Sequence, residues 1–558
     1  MSIFYSRMHH SIAFIFFVLL IFGKSFSGVS QSITNPILAG FYPDPSICRA
    51  GNDYYIVNSS FAYYPGLPIF HSTDLLNWRQ IGYVLNRPEQ LNLDSAGVSR
   101  GLFAPAITYH KGTFYVVCTL VDKGGNFVVT STDPKGPWSN PAWLPGVDGI
   151  DPSIFFDEDD KAYIVYNSIP PDNKSLHDGH RTIRMNAFDA KQLKIISDNK
   201  IIVNGGTDMS KKPVWIEGPH LIKKDSWYYL ICAEGGTDYN HSEVVFRSKS
   251  VQGPFIPYDK NPILTQRTLD PKRKNPITNT GHADFVEAKD GKWWAVFLGC
   301  RPYEENYFNT GREIFMAPVE WKDGWPTINP NFSAVQYTYP ISSKINPSIE
   351  KFNGNYLFKD DFTTATLNNR YSFLRTLREN WYSLTDGTLA LQLRPQTCSG
   401  VGNPSFIGFR QAHTKGYAST SLNFEPKAAN EKAGLLVYQN EKHNYFLCLS
   451  IDNGNQVIQL YKGEELIASS PIFLVKNEVK LKIEAKGNAY AFYYGTQKDK
   501  WYTLKDNVDA KFLSTQVAGG FVGSFYSMYA TSNGKPSSSK AFYDWFECKS
   551  DDDVYKQK

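Results

Sequence analysis

Asp44-Pro45-Ser46-Ile47, followed by Tyr54-Tyr55-Ile56-Val57, is the first of five related copies in this chain. In each copy a short strand starts at a polar or small residue, and an aromatic, β-branched strand returns about ten residues later, which is typical of a β-hairpin. The copies start about 50 to 65 residues apart, the period of propeller blades rather than of helical solenoids. The other four begin at Ala104-Pro105-Ala106-Ile107, Asp151-Pro152-Ser153-Ile154, Glu217-Gly218-Pro219-His220 and His282-Ala283-Asp284-Phe285.

The first residues of the copies are Asp44, Ala104, Asp151, Glu217 and His282. In a propeller the innermost strand of every blade lines a central channel, so equivalent positions converge there. A single Asp-Pro pair is usually no more than a turn. Here the matching register instead predicts that three carboxyl groups and a histidine meet at one end of the channel.

The chain has 558 residues, of which 15% are aromatic, and long helical patterns are scarce. This length predicts two domains, and the composition predicts an all-β protein. We expect a five-bladed β-propeller over residues 31–340, a linker over 341–355 and a β-sandwich of the concanavalin-like jelly-roll type over 356–550. Alternating strands at short spacing indicate the sandwich. The charged residues 551–558 are expected to form a disordered tail.

Residues 1–30 have the features of a secretory signal peptide. Arg7 precedes the uninterrupted apolar run 12–22, and small residues follow at 28–30. The apolar run is too short to span a bilayer. We therefore expect a secreted or periplasmic protein with no membrane span after cleavage, whose oligomeric state is left open.

The formal net charge is +4, and no basic tract indicates nucleic-acid binding. The charge balance favours a neutral, polar ligand. The seven cysteines form no CxxC pair, so a zinc site is not expected. Several lie within apolar strands and are interpreted as small buried hydrophobic residues.

The ordered set of motifs resembles family 43 of the glycoside hydrolases, in particular β-xylosidase-like members with a C-terminal sandwich. Each motif is weak alone, and the set extends over nearly the whole chain after residue 30. The motifs are Tyr-Pro-Asp-Pro-Ser-Ile (42–47), Gly-Ile-Asp-Pro-Ser-Ile (149–154), Glu-Gly-Pro-His (217–220), Thr-Gly-His-Ala-Asp (280–284) and Gly-Arg-Glu (311–313).

The resemblance implies an inverting hydrolase with Asp44 as general base and Glu217 as general acid. Asp151 would orient the acid and modulate its pKa. An inverting enzyme needs one ionised and one protonated carboxyl group, about 6.5–9.5 Å apart. A negative charge on Asp151 would raise the pKa of Glu217 and keep it protonated near neutral pH.

The resemblance also implies substrate-binding residues. His282 would act near the base, and Arg312 would pair with a catalytic carboxylate and a sugar hydroxyl. Phe61 and Phe103 match positions that wall the sugar subsite, although many relatives have Trp where Phe103 stands. Phe521 lies in the glycine-bracketed segment 519–523, which resembles a sandwich loop that reaches over the propeller channel.

The first functional hypothesis is an exo-acting 1,4-β-xylosidase that removes xylose from xylo-oligosaccharides of plant cell-wall hemicellulose. The alternative is an α-L-arabinofuranosidase acting on arabinoxylan or arabinan side chains, because the family uses the same three carboxyl groups for both pentoses. A non-catalytic carbohydrate-binding propeller would not need these three groups, and a protein-interaction propeller predicts binding loops without convergent acids.

The resemblance implies no cofactor for catalysis but leaves a structural calcium ion open. Asp360-Asp361-Phe362 and Asp544-Trp545-Phe546 resemble terminal strands of the sandwich, where related domains hold Ca²⁺. Asp361 and Asp544 are the candidate ligands, since carboxylate oxygens suit this ion. An ordinary pair of solvated aspartates is the alternative.

Overall fold

The computed structural model describes residues 31–341, 350–474, 477–497 and 500–556. Within these ranges the chain forms an all-β, five-bladed propeller followed by a two-sheet sandwich, which confirms the predicted fold class. The predicted signal peptide (1–30) lies outside the described residues. So do residues 342–349, which are most of the predicted linker.

Each blade is an antiparallel sheet in which successive strands pair in chain order. The alternation of aromatic and β-branched residues along these strands suits a pleated, buried sheet. The strands are β1 (Gln31–Thr34) before the blades; β2 (Ser46–Ala50), β3 (Asp53–Val57), the short β4 (Tyr63–Tyr64), β5 (Gly66–Ser72) and β6 (Arg79–Leu85) in the first repeat; β7 (Ala106–His110), β8 (Thr113–Leu120), β9 (Gly125–Ser131) and β10 (Ala142–Trp143) in the second; β11 (Ile150–Phe156), β12 (Ala162–Ser168), β13 (Thr182–Asp189), β14 (Lys194–Ile195) and β15 (Lys200–Asn204) in the third; β16 (Glu217–Lys224), β17 (Trp227–Glu234), β18 (Ser242–Ser248), β19 (Ile256–Pro257) and β20 (Leu264–Thr265) in the fourth; β21 (Thr278–Glu287), β22 (Trp293–Cys300), β23 (Glu313–Lys322) and β24 (Trp325–Ile328) in the fifth; and β25 (Thr338–Ile341) after it.

The innermost strands β2, β7, β11, β16 and β21 form a closed ring, because each contacts the next and β21 contacts β2. The ring is fastened where the chain enters and leaves the propeller. β1 pairs with β25, and the Asn35 side chain exchanges hydrogen bonds with the backbone of Met316 in blade 5. The channel therefore has a fixed circumference, and the first residues of the inner strands meet at one of its ends.

The sandwich consists of two antiparallel sheets. The first sheet has the order β28-β29-β40-β31-β36-β37-β38, with β26 also paired to β40, and the second has the order β35-β34-β33-β32-β39-β30-β27-β4. The strands are β26 (Leu357–Asp360), β27 (Tyr371–Leu374), β28 (Tyr382–Thr385), β29 (Thr388–Gln392), β30 (Ser405–Arg410), β31 (Lys415–Asn423), β32 (Lys432–Tyr438), β33 (Asn444–Asp452), β34 (Asn455–Lys462), β35 (Glu465–Pro471), β36 (Glu478–Lys486), β37 (Ala489–Gln497), β38 (Lys500–Asp509), β39 (Phe525–Thr531) and β40 (Lys540–Ser550). The helical segments of the described chain are short: Pro171–Asn173, Met209–Lys211, Lys511–Leu513, α1 (Thr515–Ala518) and Asp553–Tyr555.

The two domains share structure at their boundary. β4 belongs to the first propeller repeat by sequence, yet it pairs with β27 and completes the second sandwich sheet. The outer face of that sheet packs on the propeller through one buried apolar cluster, which we call the interdomain cluster. It includes Phe41, Phe61, Tyr63 and Val98 from the propeller and Phe406, Leu436, Phe446, Phe525 and Tyr529 from the sandwich.

The prediction of a disordered tail is wrong for residues 551–556. Asp552 is buried, and its carboxylate lies 3.0 Å from a guanidinium nitrogen of the buried Arg301 in the propeller. Arg301 also forms an ion pair with Glu313 at 2.7 Å. The Tyr555 hydroxyl donates to the Asn35 carbonyl at 2.8 Å. These contacts hold the segment between the two domains.

All seven cysteines lie in described residues, where they are buried and form no disulfide bond. Burial raises the pKa of Cys48, Cys118 and Cys232, among others, so these thiols are protonated at neutral pH. In the described ranges no helix has the length and apolar content needed to cross a membrane.

Candidate active site

The pocket at one end of the propeller channel brings together all eight residues predicted to bind or act on substrate. It encloses about 90 Å³. The predicted residues in its lining are Asp44, Asp151, Glu217, His282, Arg312, Phe61, Phe103 and Phe521. Ala104, the head of the second copy, also lines it, so the repeat register predicted the convergence correctly.

Local backbone geometry aims these side chains into the pocket. Asp44, Asp151 and His282 have φ values of 53°, 54° and 55°, in the left-handed region that residues other than glycine rarely adopt. In the third, fourth and fifth blades the pairing of the inner strand shifts register close to its first residues. Such bulges re-aim side chains, and strained backbone of this kind clusters at functional sites.

Asp44 has contacts that suit an ionised carboxylate. Its Oδ2 accepts a hydrogen bond from the Ser59 hydroxyl at 2.6 Å. Its Oδ1 lies 3.5 Å from Nη1 of Arg312 and 4.0 Å from Nδ1 of His282. A hydroxyl donor and a guanidinium group both favour the negative charge.

Glu217 is in the opposite situation. Its carboxyl group is buried, and burial followed by the neighbouring Asp151 raises its pKa well above the ordinary value. Arg312 and a side-chain hydrogen bond from Trp215 offset part of this effect. A carboxyl group in such surroundings keeps its proton near neutral pH, which is the state that a general acid needs.

Asp151 lies between these two states. Burial and then the charge of Asp44 raise its pKa to about 7, although the backbone N–H of Gly218 donates to it and Arg312 is nearby. When it is ionised, Asp151 in turn raises the pKa of Glu217, which favours the protonated form of that carboxyl group. The pair Asp151 and Glu217 can thus hold a proton on Glu217, where a general acid would donate it.

His282 is neutral in this pocket, since burial lowers its pKa to about 4 despite the nearby Asp44. Its ring packs against Gly218, where an added Cβ would lie 2.9 Å from the ring atoms. Gly218 also has a φ of 56°, so this position favours glycine on two grounds.

Arg312 and Phe521 join the two domains at the pocket. Arg312 donates to the Thr237 carbonyl at 3.0 Å, and its guanidinium carbon lies 5.2 Å from the centre of the Phe521 ring. The Phe521 ring stacks on Phe61 at 6.0 Å between centroids and meets Phe103 edge-on at 6.2 Å. A residue of the sandwich is thus one wall of the pocket, and its contacts are with propeller side chains.

The Phe521 loop is fastened to the propeller by its backbone. The N–H of Phe521 donates to the Ser99 hydroxyl at 3.0 Å. Gly523 packs so closely on Thr310 that an added Cβ would lie 2.4 Å from the Thr310 carbonyl oxygen. The glycine-bracketed sequence therefore permits a close approach of two backbones.

Comparison with known proteins agrees with this architecture. The family described as "Glycosyl hydrolases family 43" matches residues 33–326, and "Beta xylosidase C-terminal Concanavalin A-like domain" matches residues 359–549. The chain belongs to glycosyl hydrolase family 43. It is a glycosidase of the xylosidase and arabinofuranosidase group, built from the family's propeller and its C-terminal sandwich.

The chain matches several relatives along almost their whole length. A "Xylosidase/arabinosidase" of Butyrivibrio fibrisolvens is 40% identical over 528 residues, which are 92% of this chain and 98% of the relative. A "Non-reducing end alpha-L-arabinofuranosidase BoGH43B" of Bacteroides ovatus is 37% identical over 543 residues, with shares of 95% and 98%. The crystal structure of a GH43_12 protein from a capybara gut metagenome is 41% identical, with a TM-score of 0.84 over 90% of this chain and 95% of that one.

Sequence reasoning missed other residues of this family 43 site, because Ile150, Trp215 and Thr237 also line the pocket. Beside them the Arg181 guanidinium lies 3.7 Å from the centre of the Trp215 ring. Trp215 could have been found from its place two residues before Glu217. Arg181 directly precedes β13, the third strand of its blade, and no sequence motif includes it.

The structure does not support the proposed calcium site. Asp361 accepts hydrogen bonds from Thr363, and the acidic neighbour that raises the pKa of Asp544, after burial, is Glu478. Among the described residues, no three His, Cys, Asp or Glu side chains are grouped so that they could hold a metal ion. Asp361 and Asp544 thus lack the cluster of acidic oxygens that Ca²⁺ binding in this domain would use.

Proposed function

We propose that this protein is an inverting, exo-acting β-xylosidase that removes single xylose units from the non-reducing ends of xylo-oligosaccharides. The observation that carries the proposal is a small pocket with three carboxyl groups, one wall of which is Phe521 of the sandwich. The three carboxyl groups supply the acid and base for hydrolysis, and the Phe521 wall limits the number of sugar units that can enter the pocket.

In this proposal Asp44 is the general base. It removes a proton from a water molecule as the oxygen of that water attacks the anomeric carbon of the sugar. The contacts with Ser59 and Arg312 support this role, because they stabilise the ionised carboxylate before the reaction. Since water attacks from the face opposite the leaving group, the product has inverted configuration.

Glu217 is the general acid and donates its proton to the glycosidic oxygen as the bond to the anomeric carbon breaks. Burial and Asp151 support this role by raising its pKa. Trp215 lines the same pocket as Glu217 and can restrict the orientation of its carboxyl group. After the reaction Asp44 holds the proton from water and Glu217 is ionised, so a proton must return to Glu217 before the next cycle.

The size of the pocket supports exo action. The pocket of about 90 Å³ is bounded by the aromatic rings of Phe61, Phe103 and Phe521. An adjoining cavity of about 150 Å³ shares Arg312 and Phe521 with it and has polar walls, including Asn279. Together they offer space for a terminal sugar and the beginning of its leaving group rather than an open groove for a long chain.

α-L-Arabinofuranosidase activity is the second candidate, favoured by the names of the relatives from Butyrivibrio fibrisolvens and Bacteroides ovatus. A terminal arabinofuranose and a terminal xylose are both pentoses that the same three acids can hydrolyse. Release of arabinose from side chains would need the same closed pocket. The two candidates therefore differ in the shape of the pocket walls and not in the acids.

The test is to compare kcat/KM for 4-nitrophenyl β-D-xylopyranoside and 4-nitrophenyl α-L-arabinofuranoside. A higher kcat/KM on the xyloside supports the proposal, and the reverse order supports the second candidate. Proton NMR of the first product distinguishes the mechanism, because an inverting β-xylosidase releases α-xylose. Protein that binds xylo-oligosaccharides but hydrolyses neither pentoside would instead support a non-catalytic binding propeller.

We further infer that the protein is exported to the periplasm or secreted. The apolar run 12–22 and the small residues 28–30 support export. N-terminal sequencing of protein recovered from the extracellular or periplasmic fraction should find a start close to residue 30. Full-length protein that stays in the cytosol would contradict this inference.

A further inference from the structure

The outer face of the second sandwich sheet holds a cavity of about 290 Å³ that is separate from the active pocket. We call it the sandwich groove. It lies over strands β32, β33, β34 and β39, with the residues around Cys398 along one side. Its volume is close to the lower end of the range for ligand pockets, about 300 Å³.

Strand alternation explains which side chains form the groove. Leu435, Leu447 and Met528 point into the core between the two sheets. Their neighbours in sequence point to the opposite face, where Phe446 and Tyr529 line the groove. The outer face of this sheet is thus aromatic, although its inner face already buries apolar side chains in the sandwich core.

The aromatic floor is built from adjacent strands. Phe446 lies directly opposite Tyr461 in the β33–β34 pairing, and the rings of Phe446 and Tyr529 are 4.8 Å apart between centroids. Phe446 and Tyr529 are buried, whereas Tyr461 is partly exposed. The floor therefore presents a packed, rigid base with one accessible ring beside it.

The walls carry polar groups with hydrogen-bonding capacity to spare. Within the described part of the chain, no hydrogen-bond partner is found for the side chains of Glu464 and Asn533, which line the groove. Lys432 lies 5.3 Å from the centre of the Tyr461 ring. With one lysine and one glutamate in its lining, the groove has no net charge and does not select for an ion.

Aromatic rings beside unpaired polar groups, without net charge, suit a neutral ligand that has both apolar faces and hydroxyl groups. Sugar units have this chemistry. The floor is also joined to the wall of the active pocket by packing, because Phe446 and Phe61 belong to the interdomain cluster and Phe521 packs against it. A saccharide chain held by this sheet would be bound to the rigid unit that forms the active pocket.

We propose that the sandwich groove is a second saccharide-binding site, which holds one or two sugar units of a neutral hemicellulose chain. Tyr461 stacks on a sugar face, and Lys432, Glu464 and Asn533 hydrogen-bond to hydroxyl groups. The site anchors polymeric substrate and does no chemistry. Binding at this site lengthens the time that the enzyme stays bound to a polysaccharide, and it leaves the rate of hydrolysis of small pentosides unchanged.

The test measures binding in a Glu217→Gln background, so that soluble xylan is not consumed during the experiment. Native gel electrophoresis in gels containing soluble xylan gives the dissociation constant from the retardation of the band. Adding Tyr461→Ala should weaken binding about tenfold. Tyr502→Ala is the matched control, because Tyr502 is an exposed tyrosine of the other sandwich sheet and should leave retardation unchanged.

In an otherwise unchanged enzyme, Tyr461→Ala should keep kcat/KM on nitrophenyl pentosides within about twofold. If this variant is less stable, Asn533→Gly serves instead, because Asn533 is exposed and its φ of 47° is one that glycine adopts without strain. Asn533→Gly should weaken xylan binding about threefold. Retardation unchanged in both variants would overturn the proposal, and so would equal weakening by Tyr502→Ala. Neither result depends on which pentoside the active pocket hydrolyses.

Discussion

Replacement of Phe521 by alanine tests whether the sandwich contributes directly to the active pocket. The Phe521 ring packs on Phe61 and Phe103 and lies under the Arg312 guanidinium, and its remaining exposed surface lines the pocket. Full burial of a phenylalanine side chain stabilises by about 1.5–3 kcal/mol. Because Phe521 is already half-buried without substrate, contact with a sugar adds about half of that, roughly 0.8–1.5 kcal/mol, which is about a four- to twelvefold effect on kcat/KM.

Loss of the ring also removes the cation–π contact that positions Arg312, which contributes about 0.5–1 kcal/mol at a partly exposed site. We therefore expect Phe521→Ala to lower kcat/KM by roughly tenfold or more. Because the ring lies at the edge of the interdomain cluster, thermal stability should fall only slightly. Phe521→Leu should recover part of kcat/KM, since it restores apolar contact without the aromatic face.

The assay is kcat/KM on the preferred nitrophenyl pentoside together with the melting temperature of each variant. Phe473→Ala is the control, because Phe473 is a sandwich phenylalanine that is 87% exposed and does not line the pocket. A Phe521→Ala protein with a lower melting temperature but unchanged kcat/KM would refute the reasoning. It would mean that Phe521 serves the packing of the domains and not the substrate.

Further predictions concern the acids and the domain contacts. Asp44→Ala and Glu217→Ala should each lower kcat at least a hundredfold without unfolding. For Glu217→Ala the loss of kcat should be smaller on an activated aryl glycoside than on xylobiose. In the proposed mechanism Glu217 must be protonated, so activity should fall as pH rises through its pKa; Asp151→Asn removes a charge that raises this pKa and should move the alkaline limb of the pH–rate profile to lower pH. Arg301→Met removes the guanidinium group that pairs with the fully buried Glu313, and urea unfolding should show a loss of about 3–5 kcal/mol, as is typical for breaking a buried ion pair. Chelator should leave the melting temperature unchanged, and a fall of several degrees would restore the calcium hypothesis.

The repeat register carried most of what could be predicted. Equivalent positions of five hairpins must converge on a propeller channel, so the placement of Asp44, Asp151, Glu217 and His282 followed from spacing alone. Phe521 was predictable for a different reason, because glycines on both sides of an aromatic residue indicate a close backbone approach.

Two of the misses have one physical cause, which is that the partners are distant in sequence. Asp552 is ordered by Arg301, 251 residues earlier in the chain, and nothing in the charged sequence of the tail indicates that partner. Arg181 stacks on Trp215, a residue of the pocket lining that comes from another part of the fold. Local composition describes how a segment behaves alone, and it misses ion pairs and stacking interactions made in the folded state.

We infer that the two domains form one catalytic unit, because three features join them. β4 leaves the first propeller repeat to complete a sandwich sheet, the interdomain cluster is built from both domains, and Phe521 returns from the sandwich to wall the channel. A sandwich that only bound substrate would need a linker and a surface of its own, not a strand shared with the propeller. Because the propeller supplies the acids and the sandwich supplies a wall, a change at the domain interface should alter kcat/KM even where it touches no acid.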